Sequence, residues 1–246
     1  MKPLALYLTR RATAPVCWLL VAAATGLTAC QRPAPTARLF PLETGHYWTY
    51  QVTTEWESQS RERDTLVLRN LGRDALTDGS AWRRRSDSGM NYWLRQDDSG
   101  VYRVASRSDL QADPQPDTER RYVLKEPMSV GTQWQATTTA YILHRRQAFP
   151  REIRHSHPLI PMLYAIDALQ QSVDTPAGHF EGCVTVKGLA SVRLYVDPVV
   201  GWKDMPLTTR EWYCTGVGLV KLVRDEPAGS TFLGGGTMIL ELKEWK

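Results

Sequence analysis

The residues of this chain that could carry chemistry are few. Two cysteines, Cys183 and Cys214, lie in its body, and Cys17 and Cys30 lie near its start. A cysteine can be a nucleophile, a metal ligand, a redox centre or half of a disulfide, and the neighbouring base and the compartment decide which. Cys214 runs into Gly216-Val217-Gly218, and Gly234 to Gly236 form a second glycine cluster. A phosphate loop needs a following Lys-Ser/Thr and a helix N-terminus. Both glycine clusters lead instead into alternating stretches, "LVKLV" and "TMILELK", where glycine reads as a turn or bulge at a strand entry. His144, His155 and His157 could in principle chelate a metal, yet a structural zinc takes four ligands and a catalytic one three. No companion ligand set is spaced for that, and Arg145, Arg146, Arg151 and Arg154 would repel a cation. Those histidines read as surface groups of a polar connection.

Hydrolytic chemistry finds no better support. There is no Gly-x-Ser-x-Gly elbow, and the paired acids Asp97-Asp98 and Asp225-Glu226 sit in turn-like contexts. No catalytic residue, metal ligand or cofactor-binding residue is assigned, and the chain reads as no enzyme. Arg83, Arg84 and Arg85 follow Trp82, with Arg61 and Arg63 upstream. On a strand, Arg84 points with Trp82 and the other two point away. They read as solvated charges of an edge strand, where charge blocks edge-to-edge pairing. The alternative is a patch facing lipid head groups or lipopolysaccharide.

The compartment is written at the start of the chain. Lys2, Arg10 and Arg11 precede a nearly apolar run, Ala12 to Thr28, with no acid before Cys30. That is the layout of an export signal. The run is shorter than the roughly 20 apolar residues a spanning helix requires. Leu27-Thr28-Ala29-Cys30 resembles the lipobox of bacterial lipoproteins. The resemblance implies cleavage before Cys30, a diacylglyceryl group on its thiol and acylation of the new amine. "QRPAPTAR" follows as an extended polar tether. By analogy with sorting in Gram-negative bacteria, Gln31 after the cysteine implies the outer membrane facing the periplasm, with the inner membrane as the alternative. Removing Lys2, Arg10 and Arg11 from the 30 Lys and Arg leaves 27 against 26 Asp and Glu. This near balance gives no support for a nucleic-acid partner. In an oxidising compartment, an isolated pair such as Cys183 and Cys214 reads as a disulfide, with two buried thiols as the alternative.

Two-residue alternation dominates after Leu39. In "HYWTYQVTTEW", Trp48, Tyr50, Val52, Thr54 and Trp56 share one face. "DTLVLRN", "NYWLRQ", "GVYRVASR", "RYVLKEP", "TQWQATTTAYILHR", "GCVTVKGLASVRLYVD", "TTREWYCTG", "GLVKLVRDE" and "TMILELKEW" extend the pattern to about ten or eleven strands. "DDSG" at Asp97 to Gly100 reads as a hairpin turn, and 105–119 and 225–236 as loops. "PLIPMLYAIDALQQ" fits both periods: Leu159, Ile160, Leu163, Ile166 and Leu169 at helical spacing, Met162, Tyr164, Ile166 and Ala168 at strand spacing.

Four stretches together resemble a family of uncharacterised bacterial envelope lipoproteins built on a domain of unknown function: "FPLETGHYWTY", "LKEPMSVGTQW", "DTPAGHFEGCVTV" and "WYCTGVGLVKL". Its members carry Pro-Leu-x-x-Gly-x-x-Trp-x-Tyr, Pro-Ala-Gly-x-Phe-x-x-Cys and Gly-Val-Gly-Leu-Val-Lys. The resemblance implies a curved antiparallel sheet or incomplete barrel, and a strand rather than a helix around Leu159 to Gln171. It brings no catalytic residues. Cys214 stands where small residues are usual in the family.

The expected organisation is a signal peptide at 1–29, a lipidated tether at 30–38 and one β-rich periplasmic domain at 39–246. The fold class is mainly β, a single strongly curved antiparallel sheet or incomplete barrel. A β-sandwich is the alternative, with at most one short helix near 159–171. The expected function is that of a lipid-anchored envelope binding module, partnered by the membrane and by a lipid or an envelope protein. An envelope hydrolase or modifying enzyme without a recognisable motif is the alternative.

Overall fold

Alternation becomes strand along most of the described residues in the computed structural model, which describes residues 36–146 and 159–246. A single helical turn, α1 (Thr36–Leu39), covers the last positions of the expected tether. Six strands then form a meander: β1 (Tyr47–Trp56), β2 (Arg61–Leu76), β3 (Gly79–Ser86), β4 (Asn91–Asp97), β5 (Gly100–Arg107) and β6 (Gln115–Lys125). The second half holds β7 (Gln133–Thr138), β9 (Ile160–Thr175), β10 (Gly178–Tyr195), β11 (Trp202–Cys214), β12 (Gly218–Glu226) and β14 (Gly236–Trp245). The two-residue strands β8 (His144–Arg145) and β13 (Leu233–Gly234) pair apart from them.

The twelve long strands make one antiparallel sheet in the order β6-β5-β4-β3-β2-β1-β14-β12-β11-β10-β9-β7. First and last strands thus meet in its middle, β1 against β14. The sheet curls until its edge strands β6 and β7 face each other. Among the described residues no ladder joins them; the Trp134 indole N–H on β7 donates to the Tyr122 carbonyl on β6 at 3.2 Å. This is the incomplete barrel expected from the sequence, and the sandwich alternative falls.

The ambiguous segment is strand β9. Its buried set, Ile160, Met162 and Ile166, follows a period of two, while Leu159 and Leu163 of the supposed helical stripe are exposed. Backbone demand explains the rest, since β9 is paired on both sides, with β7 and with β10. Three further expectations are corrected. The long strand read in "TQWQATTTAYILHR" ends at Thr138, because the Tyr141, Ile142 and Leu143 N–H groups turn to the Glu226 carboxylate. The loop 105–119 shrinks to 108–114, with Ala105 opposite Pro116 and Ser106 opposite Gln115. The loop 225–236 loses both its ends to β12 and β14 and carries β13 within it.

Candidate functional site

The sequence-flagged residues scatter. Cys17, Cys30, His155 and His157 lie outside the described residues. Cys183 on β10 and Cys214 on β11 are joined, S–S 1.99 Å, and both are buried. His144 stays apart from any ligand set: its Nδ1 pairs with the Ile142 carbonyl at 2.7 Å and its ring lies edge-on to Trp56. Among the described residues no group of His, Cys, Asp and Glu is placed to hold a metal. Gly216 and Gly218, with φ of 79° and 99°, form the turn from β11 to β12, where left-handed backbone suits glycine.

The quoted motif stretches converge on this turn. The Trp48 indole donates to the Val217 carbonyl at 2.6 Å, and the Tyr50 hydroxyl to the Leu219 carbonyl at 2.8 Å. The Gly216 N–H donates to the Arg38 carbonyl at 2.7 Å, so the N-terminal turn is fastened here too. Leu39, Phe40 and Leu42 enter the core beside Met128, Trp134, Ile166 and Tyr213. These residues build the fold.

The arginine triplet is not an edge charge cluster. Strand β3 lies between β2 and β4, so it has no free edge to protect. Arg83 pairs with Asp74 at 3.1 Å and Arg85 with Asp109 at 2.7 Å. Arg84 is buried, sandwiched between the rings of Phe40 and Trp48 at 4.2 and 4.4 Å. Its donors go to neutral acceptors, Asn70 Oδ1 and the Pro41 carbonyl, both at 2.8 Å. Burial pulls its pKa down to about 10. Asn70 in turn donates to the Pro41 and Glu43 carbonyls.

A second polar group on the enclosed face was not legible as a motif. Asp225-Glu226, read as a turn pair, closes β12, and Glu226 is fully buried. Its carboxylate accepts the Arg224 Nε at 2.6 Å together with three successive backbone N–H groups. Arg224 also donates to the Thr138 hydroxyl and the Thr139 carbonyl, and stacks on Tyr141 at 4.7 Å. Near the end of β11, two residues before Tyr213, buried Glu211 accepts from the Tyr213 hydroxyl at 2.5 Å. Burial raises its pKa against the opposing pull of Tyr213 and Arg224.

Across from Glu211 stands Arg121 on β6. Burial and the neighbouring Arg103 lower its pKa, while Tyr141, Tyr164 and Asp117 act in the other direction. Asp117 is itself held by Arg103 through both carboxylate oxygens, 2.7 Å at Nε. Arg121 makes no hydrogen bond or ion pair with the described residues. Around it are Tyr92, whose pKa burial raises, and Tyr164, raised likewise and stacked on Trp134 at 5.7 Å. The enclosed face thus joins a largely uncompensated guanidinium to a set of aromatic rings. The strand read in "RYVLKEP" begins with Arg121, but nothing local in the sequence marks this arginine as one turned to the enclosed face.

No family model and no curated protein matches the chain. Two solved structures are similar to it. A candidate lipoprotein from Parabacteroides distasonis is 15% identical with a TM-score of 0.42, over 85% of this chain and 98% of that one. A candidate exported protein with a YmcC-like fold from Bacteroides fragilis is 15% identical with a TM-score of 0.36, over 84% and 98%. These likenesses carry no function across to this chain.

Proposed function

We propose that the chain is an exported, lipid-anchored protein of the bacterial envelope that binds an organic anion on the enclosed face of its sheet. Export and anchoring rest on the N-terminal signal pattern and on Cys30 at its end, with the outer membrane as the destination. The observation that carries the binding reading is Arg121: a cation turned to the enclosed face, beside a second arginine whose carboxylate is already taken. Such a group favours a carboxylate or phosphate, and Tyr92, Tyr164 and Trp134 favour an aromatic or apolar body behind it. The lipid partner expected from the sequence becomes an amphiphile with an acidic head.

The test uses an aromatic sulfonate dye, 8-anilinonaphthalene-1-sulfonate, as probe. The folded protein binds it saturably, and Arg121→Gln weakens binding by at least about tenfold, the loss of one charge-assisted contact. Equal binding by parent and variant overturns the reading. For the anchor, mass spectrometry of the membrane-purified protein finds acyl chains on Cys30 and finds none in Cys30→Ala; an unacylated Cys30 in the parent refutes lipidation. A second reading, proton transfer by Glu211, is favoured by its raised pKa beside Tyr213. It predicts a turnover that Glu211→Gln abolishes and Arg121→Gln does not.

A further inference from the structure

The β10–β11 hairpin lies at the opposite end of β11 from the Cys214 turn. With 13 residues, β11 separates the two ends by about 40 Å. At its tip and last rung, 195–202, the hairpin turns four large apolar side chains outward: Tyr195, Val199, Val200 and Trp202. Val199 is 95% exposed and Trp202 62%. Tyr195 and Trp202 face each other on the last rung, ring centroids 5.7 Å apart and edge-on. Single exposed hydrophobes are ordinary, but four on one hairpin form a patch of the kind that meets a partner.

The backbone of this tip decides what kind of partner. Val199 and Val200 N–H both donate to Asp197 Oδ1, at 2.7 and 2.8 Å. Gly201 N–H donates to the Asp197 carbonyl and Val196 N–H to the Gly201 carbonyl, each at 2.8 Å. Pro198 has no N–H to satisfy. From Pro198 to Gly201 every backbone donor is therefore closed within the loop. An unsatisfied donor is the chief obstacle to placing irregular backbone in hydrocarbon, and this loop presents none over those residues. Behind the apolar tip stand cations. Arg145 donates to the Tyr195 carbonyl, and Arg193 and Lys203 are exposed on the adjoining rungs, with Asp204 opposite Arg193.

We propose that this hairpin tip docks on the surface of an anionic phospholipid bilayer. Val199 and Val200 enter the acyl boundary, Tyr195 and Trp202 lie at head-group level where aromatic rings collect, and Arg145, Arg193 and Lys203 meet the phosphates. The site is independent of the enclosed face and of acylation at Cys30. The chain from residue 30 carrying Cys30→Ser, which has no acyl group, is co-sedimented with vesicles of phosphatidylcholine alone or mixed with phosphatidylglycerol. It binds the mixed vesicles, and added salt weakens that binding. The double variant Val199→Asp/Val200→Asp and the single variant Trp202→Ala each lower vesicle binding by at least about tenfold. Their circular dichroism and melting stay as in the parent, because the side chains are exposed. Absence of vesicle binding, or equal binding by parent and variants, overturns the proposal. So does a parent that ignores vesicles but captures an envelope protein through these residues, since the tip is then a protein-docking surface. Dye binding at Arg121 is unchanged under every one of these outcomes.

Discussion

Replacing Glu226 by Gln changes one oxygen to an amide in a fully buried site. Each oxygen position is committed. One accepts Arg224 Nε at 2.6 Å and Tyr141 N–H at 3.0 Å; the other accepts the N–H groups of Tyr141, Ile142 and Leu143 at 2.9, 2.7 and 2.9 Å. Whichever way the new amide turns, its N–H₂ faces donors rather than acceptors. Arg224, with a side chain only 4% exposed, also loses its counter-charge. Removing one partner of a buried ion pair costs about 3 to 5 kcal/mol, because the other charge is stranded. At roughly 2 to 4 °C per kcal/mol for a domain of this size, Glu226→Gln lowers Tm by about 6 to 20 °C. Denaturant unfolding followed by tryptophan fluorescence gives the free energy, and limited proteolysis reports opening at 139–143. Adding Arg224→Met removes the stranded cation, so the double variant is at least as stable as Glu226→Gln alone. A single variant within about 1 kcal/mol of the parent, or a double variant with additive losses, refutes the ion-pair account.

Two further outcomes follow from buried groups. The fold favours protonated Glu211, whose pKa burial raises. Its stabilising contribution is complete below the ordinary carboxylate range and is lost as pH rises through the raised value. Glu211→Gln is neutral throughout, so denaturation curves against pH lose that component; an unchanged pH profile refutes it. The bond between Cys183 and Cys214, 31 residues apart in sequence, closes a loop worth about 3 to 4 kcal/mol in the chain-entropy model. Reduction lowers the denaturation midpoint accordingly, and non-reducing peptide mapping recovers the two cysteines in one linked pair; two alkylatable thiols refute it.

The sheet was legible because alternation is local: Trp48 and Tyr50, or Trp134 and Ala136, declare their face within a few residues. The β9 conflict could not be settled that way, since Leu159 and Leu163 are apolar yet exposed, and only pairing with β7 and β10 chooses the period. The buried arginines were hidden for another reason. Nothing next to Arg84 in sequence announces that Phe40 and Trp48, from distant stretches, will close over its guanidinium. Glu226 was misread as part of a turn because its partners, Tyr141 to Leu143, lie more than 80 positions away in the chain. Charge in a strand is read as surface unless the partner is known, and here the partners are brought by topology. The hairpin tip shows the converse, for "DPVVG" carries its turn chemistry openly while its exposure depends on nothing packing over it.

The fastening of Arg38 to Gly216 has a mechanical side. A pull on the N-terminal end of the described chain reaches the sheet at the β11–β12 turn, through the hydrogen bond between these two residues and the burial of Leu39. Cys214 ends β11 just before this turn and is tied covalently to β10. The load therefore cannot peel β11 away from β10 at this end, as it could if hydrogen bonds alone joined them; it spreads into two strands at once. The staple sits where tension enters, so the chain can be tugged from its N-terminal side while the enclosed face and the far hairpin keep their shape.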